Sequence, residues 1–263
     1  MAGLKIAPDV FAEIQARLTL IEARCDIRVL FAVESGSRAW GFPSPDSDYD
    51  VRFVYARPRD WYLSIVSARD VIELPLDGVY DINGWDVRKA LQLLLKPNPV
   101  LLEWLESPIF YRRNDKVIAD LKALADQVLH IAPLAHHYRR LAEGQWRRAI
   151  DGRTEVPLKK YFYVVRPVLA LRWLRLNPEV RPPMNLAQLR AGADVPAVID
   201  EILDDLIERK RETKELGNAA RLPAIDIFIE NELIAAKELD QQAQADKSHL
   251  VDMANRVFRA TLW

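Results

Sequence analysis

The feature that most constrains this chain is a glycine-serine pair followed, after ten intervening residues, by two aspartates that alternate with a tyrosine. Residues 27–33 form a short apolar, β-branched run that predicts a buried strand, and Gly36-Ser37 interrupts it. Asp48 and Asp50 open a second segment, residues 48–55, whose strict alternation predicts a strand with one polar face. The pattern therefore predicts a sheet near the start of the chain.

Each part of this pattern has a chemical use. A Gly-Ser pair at the end of a strand lets the backbone approach a phosphate closely, so that N–H groups and the hydroxyl bind its oxygens. Asp48 and Asp50, two positions apart on a strand, point to the same face. Two carboxylates on one face repel unless a cation lies between them, and such hard oxygen ligands suit Mg²⁺ or Mn²⁺. The pattern predicts a site for a triphosphate and a divalent metal.

A third carboxylate from a neighbouring strand normally completes such a site, and two residues are candidates. Asp81 lies between Tyr80 and Ile82, the hydrophobic–acid–hydrophobic pattern expected inside a strand. Asp86 lies where a helical pattern begins, and capping of that helix explains it without a catalytic role. We favour Asp81 as the third metal ligand and keep Asp86 as the alternative.

After Asp86 the apolar periodicity is helical almost to the end of the chain. The predicted fold class is α+β: a short mixed sheet with flanking helices, followed by an all-helical C-terminal region. We expect a first domain at residues 1–110 that contains the predicted site, and a helical domain at residues 111–263 that completes the cleft around it.

Charge and composition narrow the choice of partners. The formal net charge is −1, which argues against a protein that coats nucleic acid by bulk electrostatics. Residues 136–175 nevertheless carry ten Arg or Lys against three acids, a local +7. Cys25 is the only cysteine, so neither an internal disulfide nor a thiolate metal site is expected. No apolar run approaches membrane-spanning length, and we expect a cytoplasmic protein with no membrane partner.

Several residues near the motifs have open roles. Arg38 and Arg52 either neutralise phosphate charge or pair with nearby acids. Ser47 either bonds a phosphate or shapes the loop before Asp48. In the basic segment, Lys159, Lys160 and Arg166 are candidates to hold the triphosphate.

The string ESGSRAWGFPSPDSDYDVRF at residues 34–53 resembles the nucleotide-binding signature of the polymerase-β-like nucleotidyltransferases. It is similar in particular to the branch of predicted nucleotidyltransferases associated with RNA ligases and assigned to RNA repair. Residues 81–91, 98–108 and 159–167 resemble the same branch. The resemblance implies metal-dependent transfer of a nucleotidyl group, with Gly36 and Ser37 on the triphosphate and Asp48 and Asp50 on Mg²⁺.

Three functions are compatible with this pattern. The leading hypothesis is an enzyme that moves a nucleotidyl group from a nucleoside triphosphate, with ATP favoured, to an acceptor, with an RNA end favoured by family analogy. The first alternative is transfer of AMP to a protein hydroxyl, as in antitoxins that share this core. The second is a non-catalytic nucleotide-binding module, which the intact Asp48 and Asp50 disfavour.

Overall fold

The apolar run and the alternating segment become neighbouring strands of a five-stranded sheet. The sheet is mixed, because one pair of strands is parallel and the other pairs are antiparallel. The strands are β1 (Arg28–Ser35), β2 (Tyr49–Ala56), β3 (Val71–Glu73), β4 (Tyr80–Asp86) and β5 (Phe110–Arg112). Their order across the sheet is β3-β4-β2-β1-β5, and β2 and β4 are the parallel pair. This sheet and the helices that follow it confirm the predicted α+β class.

The computed structural model describes residues 6–66, 68–96, 98–128, 130–213, 216–241 and 248–263. Within them the chain forms two compact units, and neither is continuous in sequence. The first consists of the described residues of Met1–Ala39, Asp48–Val128 and Ala245–Trp263, and the second of those of Trp40–Ser47 and Leu129–Gln244. The helices that follow residue 110 contribute to both units, whereas the predicted domains divide at that residue.

Helices cover both faces of the sheet in the first unit. Its helices are α1 (Pro8–Cys25), α2 (Ser37–Trp40, whose last residue belongs to the second unit), α3 (Arg59–Tyr62), α4 (Val87–Leu94), α5 (Pro99–Leu105), α6 (Asp115–Gln127) and, numbered last in the chain, α12 (Ser248–Thr261). Helix α1 buries Ile14, Leu18 and Ile21 against one face of the sheet, together with Val51 and Phe53 of β2. A fully buried side chain of this kind contributes about 1.5–3 kcal/mol to folding.

The alternation along β2 decides which residues remain on the other face. Val51, Phe53 and Tyr55 point towards α1 and are fully buried. Because successive side chains of a strand point to opposite faces, Asp50 and Arg52 lie on the face away from α1. The polar face that the sequence predicts for this strand is therefore the face that carries the acid.

The second unit is helical apart from a two-stranded sheet. Its elements are α7 (Ile131–Ala149), β6 (Glu155–Pro157), α8 (Lys159–Leu176), α9 (Leu186–Gly192), α10 (Ala197–Glu212), β7 (Asn218–Ala220), α11 (Pro223–Ala235) and a 3₁₀ helix (Ala236–Gln241). Residues 40–47 pack in this unit, where Phe42 stacks on Phe162 of α8 with ring centroids 4.5 Å apart. Among the described helices, none has both the length and the apolar character needed to cross a membrane.

Gly84 sets how closely β4 lies beside β2. It is paired with Phe53 in the parallel register, and a Cβ at position 84 would lie 2.2 Å from Cε2 of the Phe53 ring. Since Phe53 is fully buried, its ring has no free space into which it can move. The close pairing of β2 and β4 therefore requires glycine at this position.

We expect Gly84→Ala to lower the free energy of unfolding by about 1–3 kcal/mol, because the added methyl overpacks the contact with Phe53. The measurement is urea denaturation followed by circular dichroism. Gly144→Ala is the matched control, since a Cβ there meets nothing nearer than an Arg148 guanidinium nitrogen at 3.9 Å. In helix α7 this control should be neutral or gain about 0.5–1 kcal/mol. Equal stability of the two variants would contradict the overpacking argument.

Candidate functional site

The two halves of the glycine-serine and aspartate motif pack directly against each other. Gly36 follows β1 with a backbone φ of +78°, a conformation that disfavours any other residue. A Cβ at this position would lie 2.1 Å from Oδ2 of Asp50, well inside contact distance. The position requires glycine for two reasons, its backbone conformation and the carboxylate beside it.

The parallel pairing of β2 and β4 places Asp50 directly opposite Asp81. Arg52, two positions along β2, donates through one terminal nitrogen to both carboxylates, at 3.2 Å to Asp50 Oδ1 and 2.6 Å to Asp81 Oδ2. The side-chain amide of Asn83 donates to the other oxygen of Asp81 at 2.6 Å. Two acids from different strands thus share one face of the sheet, as the predicted site requires.

The surroundings of Asp50 make its ionisation costly. Burial raises its pKa to about 6, and the negative charges of Asp81 and Asp48 act in the same direction. The positive charge of Arg52 opposes this shift only in part. Asp48 is exposed and lies one residue before β2 begins. A cation close to this group of acids would therefore stabilise their ionised forms.

Asp86, the alternative third ligand, lies elsewhere. It is five residues further along β4, about 16 Å at strand spacing, and its side chain is almost fully buried. Its carboxylate accepts the Arg88 amide at 2.8 Å, which caps α4, and the Tyr62 hydroxyl at 2.9 Å. Asp81 therefore lies beside Asp50, whereas the carboxylate of Asp86 caps helix α4.

Glu34 is a residue of this site that the sequence argument did not single out. Its side chain is fully buried, and it accepts the Asp50 amide at 3.0 Å and the Tyr111 hydroxyl. Ser107 donates to its carbonyl oxygen at 2.7 Å. Burial raises the pKa of Glu34 to about 7, while the hydrogen bonds from the Tyr111 hydroxyl and the Asp50 amide oppose this shift. The available signal was an acid near the end of an apolar strand, two residues before Gly36.

Arg38 contacts the start of β2. Its guanidinium lies 4.0 Å from the centre of the Tyr49 ring and donates to the Asp48 carbonyl at 3.2 Å. Tyr49 stacks in turn on Tyr80, its partner in the register of β4. These contacts hold the backbone between the two motif aspartates, and the positive charge of Arg38 also lowers the pKa of the nearby acid Glu34.

Ser47 and the three predicted phosphate-binding cations belong to the second unit. The Ser47 hydroxyl accepts the Ser44 amide at 2.9 Å and lies 2.9 Å from the Ser44 hydroxyl, so it shapes its loop. Arg166 of α8 is nearly buried and lies over the Trp40 ring at 4.4 Å, and Lys160 lies over Tyr163 at 5.1 Å.

Lys210 of α10 is a further cation beside this loop that the sequence argument missed. Its ammonium donates to the Phe42 carbonyl at 2.7 Å and lies over the Phe42 ring. Burial lowers the pKa of Lys210 to about 8; Asp46 opposes this shift, and the positive charge of Lys159 adds to it. Arg166 and Lys210 therefore both contact residues 40–47, which precede Asp48 in the chain and belong to the second unit.

The acids fit a divalent metal in their chemistry. Asp50 and Asp81 offer carboxylate oxygens on one face of the sheet, and hard oxygen donors are those that Mg²⁺ prefers. In the part of the chain that the structure describes, no three His, Cys, Asp or Glu side chains are gathered closely enough to hold a metal. Arg52 instead bridges the two carboxylates, as an ion pair with each.

A mixed sheet in which a Gly-Ser turn packs against paired aspartates defines a protein of the polymerase-β-like class. Residues 10–260 match the family model described as RlaP, RNA repair pathway DNA polymerase beta family, and the chain belongs to this family. It is also 40% identical over 245 residues to a Bacillus subtilis (strain 168) protein called uncharacterized protein YcgL. The match covers 93% of this chain and 94% of that protein. The resemblance seen in the sequence is thereby confirmed, and membership implies nucleotidyltransferase activity.

We expect Gly36→Ala to lower the free energy of unfolding by about 1–3 kcal/mol more than Gly78→Ala does. Both glycines have positive φ, at +78° and +64°, so backbone strain affects both variants. Only at Gly36 does the added methyl meet a side chain, that of Asp50, whereas a Cβ at Gly78 has nothing within 4 Å. Urea denaturation of the two variants measures the difference. Equal losses would show that the Gly36 contact with Asp50 has no energetic consequence.

Glu34→Gln should change how stability depends on pH. An acid whose pKa is higher in the folded than in the unfolded protein stabilises the fold at low pH, and this contribution is lost as pH rises through the folded pKa. For Glu34 that window runs from about pH 4.5 to about pH 7. The wild-type free energy of unfolding should therefore fall relative to that of Glu34→Gln across the window. Parallel pH profiles from urea denaturation would contradict the buried-acid interpretation.

Proposed function

We propose that this protein is a metal-dependent nucleotidyltransferase that moves a nucleotidyl group from a nucleoside triphosphate, with ATP favoured, to an RNA end. The observation that carries the proposal is the pairing of Asp50 with Asp81 beside the turn at Gly36. Paired acids next to a glycine turn combine ligands for a metal with a backbone that a phosphate can approach. The RNA acceptor rests on the description of the family as part of an RNA repair pathway.

Each motif residue has a distinct task in this proposal. The backbone at Gly36 and the Ser37 hydroxyl donate hydrogen bonds to the triphosphate oxygens. Asp48, Asp50 and Asp81 hold Mg²⁺ or Mn²⁺, which when bound neutralises triphosphate charge and activates the attacking hydroxyl. Glu34 positions Asp50 by accepting its amide, and Arg38 holds the start of β2 through Tyr49.

Lys159, Lys160 and Arg166 are proposed as further triphosphate ligands. Their support is their position in the second unit. Arg166 lies over the ring of Trp40 in the loop at residues 40–47, and Lys160 lies over Tyr163, whose ring packs edge-on against Trp40. The positive charge of Lys159 lowers the pKa of Lys210 beside the same loop. Lysine acts on a triphosphate as a compact charge and arginine as a planar fork. Ser47 is proposed to support this loop, since its hydroxyl is bonded to Ser44.

The third carboxylate can be tested by variants at the two candidate positions. We expect Asp81→Asn to reduce nucleotide transfer at least about 100-fold, because it removes a metal ligand opposite Asp50. Asp86→Asn should keep transfer within about tenfold, because Asp86 caps α4 and accepts the Tyr62 hydroxyl, and asparagine can still cap the helix. The assay follows labelled ATP in the presence of Mg²⁺, with RNA ends or proteins offered as acceptors.

Controls in the same assay separate the possible functions. Asp77→Asn alters an exposed acid of the first unit that pairs with Arg17, and it should transfer like wild type. EDTA should abolish transfer. Label that moves to protein but never to RNA would favour the protein-acceptor alternative, and nucleotide that binds without any transfer would contradict the enzyme proposal.

A further inference from the structure

Arg52 occupies the space where two acids face each other. One terminal nitrogen of its guanidinium contacts Asp50 at 3.2 Å and Asp81 at 2.6 Å. The other terminal nitrogen donates to the carbonyl oxygens of Asp81 and Val51, at 2.7 and 3.1 Å. One cation therefore satisfies both carboxylates and is itself held in place by two backbone acceptors.

The placement of Arg52 follows from the strand geometry. Arg52 is two positions from Asp50 on β2, so both side chains lie on one face of the sheet, and the parallel register brings Asp81 to that face. The side chains are only partly accessible, with 19% exposure for Arg52, 28% for Asp50 and 32% for Asp81. In such surroundings charges interact more strongly than in bulk water.

A divalent metal held by these acids needs the same oxygens that Arg52 contacts. Resting on the function proposed above, we propose that Arg52 is the resident counter-cation of this carboxylate pair and competes with the divalent metal for it. Metal binding to the free protein is then coupled to the loss of the contacts from Arg52 to Asp50 and Asp81. The two backbone acceptors can keep the released guanidinium beside the site.

Charge counting gives the direction of the effect. Asp48, Asp50 and Asp81 contribute three negative charges when ionised, and Arg52 reduces the local sum from −3 to −2. Without Arg52, the acids attract a divalent cation more strongly and have no competitor for their oxygens. The wild-type protein should consequently bind free metal weakly, and its affinity should rise when Arg52 is replaced by a neutral residue.

The test measures Mn²⁺ binding to the full chain without nucleotide, by the electron paramagnetic resonance signal of free Mn²⁺. We expect Arg52→Gln to bind Mn²⁺ at least about tenfold more tightly than wild type. Adding Asp81→Asn to this variant should reverse the gain. Arg112→Gln is the matched control, because it also removes an ion pair of the same sheet, with Glu22, and it should bind Mn²⁺ like wild type.

Arg52→Lys provides a second variant in case the neutral substitution prevents folding. Lysine keeps the positive charge but lacks the second terminal nitrogen that holds Arg52 on two backbone carbonyls, so this variant should show a smaller gain in Mn²⁺ affinity. Thermal unfolding with EDTA and with Mn²⁺ gives an independent measurement, in which the metal should raise the melting temperature of the Arg52 variants more than that of wild type.

The competition is overturned if the folded Arg52 variants bind Mn²⁺ no more tightly than wild type. That result leaves the proposed function standing when the wild-type protein still transfers nucleotide with Mg²⁺. Failure of the proposed function shows itself separately, as absence of Mg²⁺-dependent transfer by the wild-type protein.

Discussion

The parallel pairing of β2 with β4 is the constraint on which the rest of the site depends. One register places Asp50 beside Asp81, Tyr49 beside Tyr80 and Phe53 beside Gly84. A shift of β4 by one residue would turn its side chains to the opposite faces of the sheet, moving Asp81 away from Asp50 and Tyr80 away from Tyr49. The packing of Phe53 against Gly84 therefore fixes the position of the carboxylates, although it lies on the opposite face from them.

The site also concentrates acids whose ionised forms are costly to bury. Glu34 is fully buried beside Asp50, and both have a raised pKa because burial disfavours their charged forms. Arg52 donates to Asp50 and the Tyr111 hydroxyl donates to Glu34, and these hydrogen bonds offset part of the cost of burying the two acids. Acids with perturbed pKa values around one point are typical of functional sites, where chemistry and not stability determines the residue.

The segment from Gly36 to Asp50 is continuous in sequence, but its residues are divided between the two compact units. Gly36 and Asp50 pack against each other in the first unit, whereas most of the residues between them in the chain belong to the second. There the loop is held by aromatic stacking of Phe42 on Phe162 and by Lys210. Buried rings and a half-buried ammonium give this loop the fixed surroundings that a glycine- and proline-rich segment lacks by itself.

The sequence alone determined the fold class, the family and the motif, because these depend on local patterns. The alternation of polar and apolar residues around Asp50 and the interruption of the apolar run at Gly36 are visible from neighbouring residues alone. The preference for Asp81, inside a strand pattern, over Asp86, at a helix start, rests on the same local patterns. Whether Asp81 ligates a metal stays a prediction. Only the tertiary structure showed that Arg52 bridges two acids, that Glu34 is buried under Asp50 and that Lys210 approaches Phe42. These contacts join residues far apart in the chain, and strand register and side-chain burial, which local periodicity does not encode, decide them.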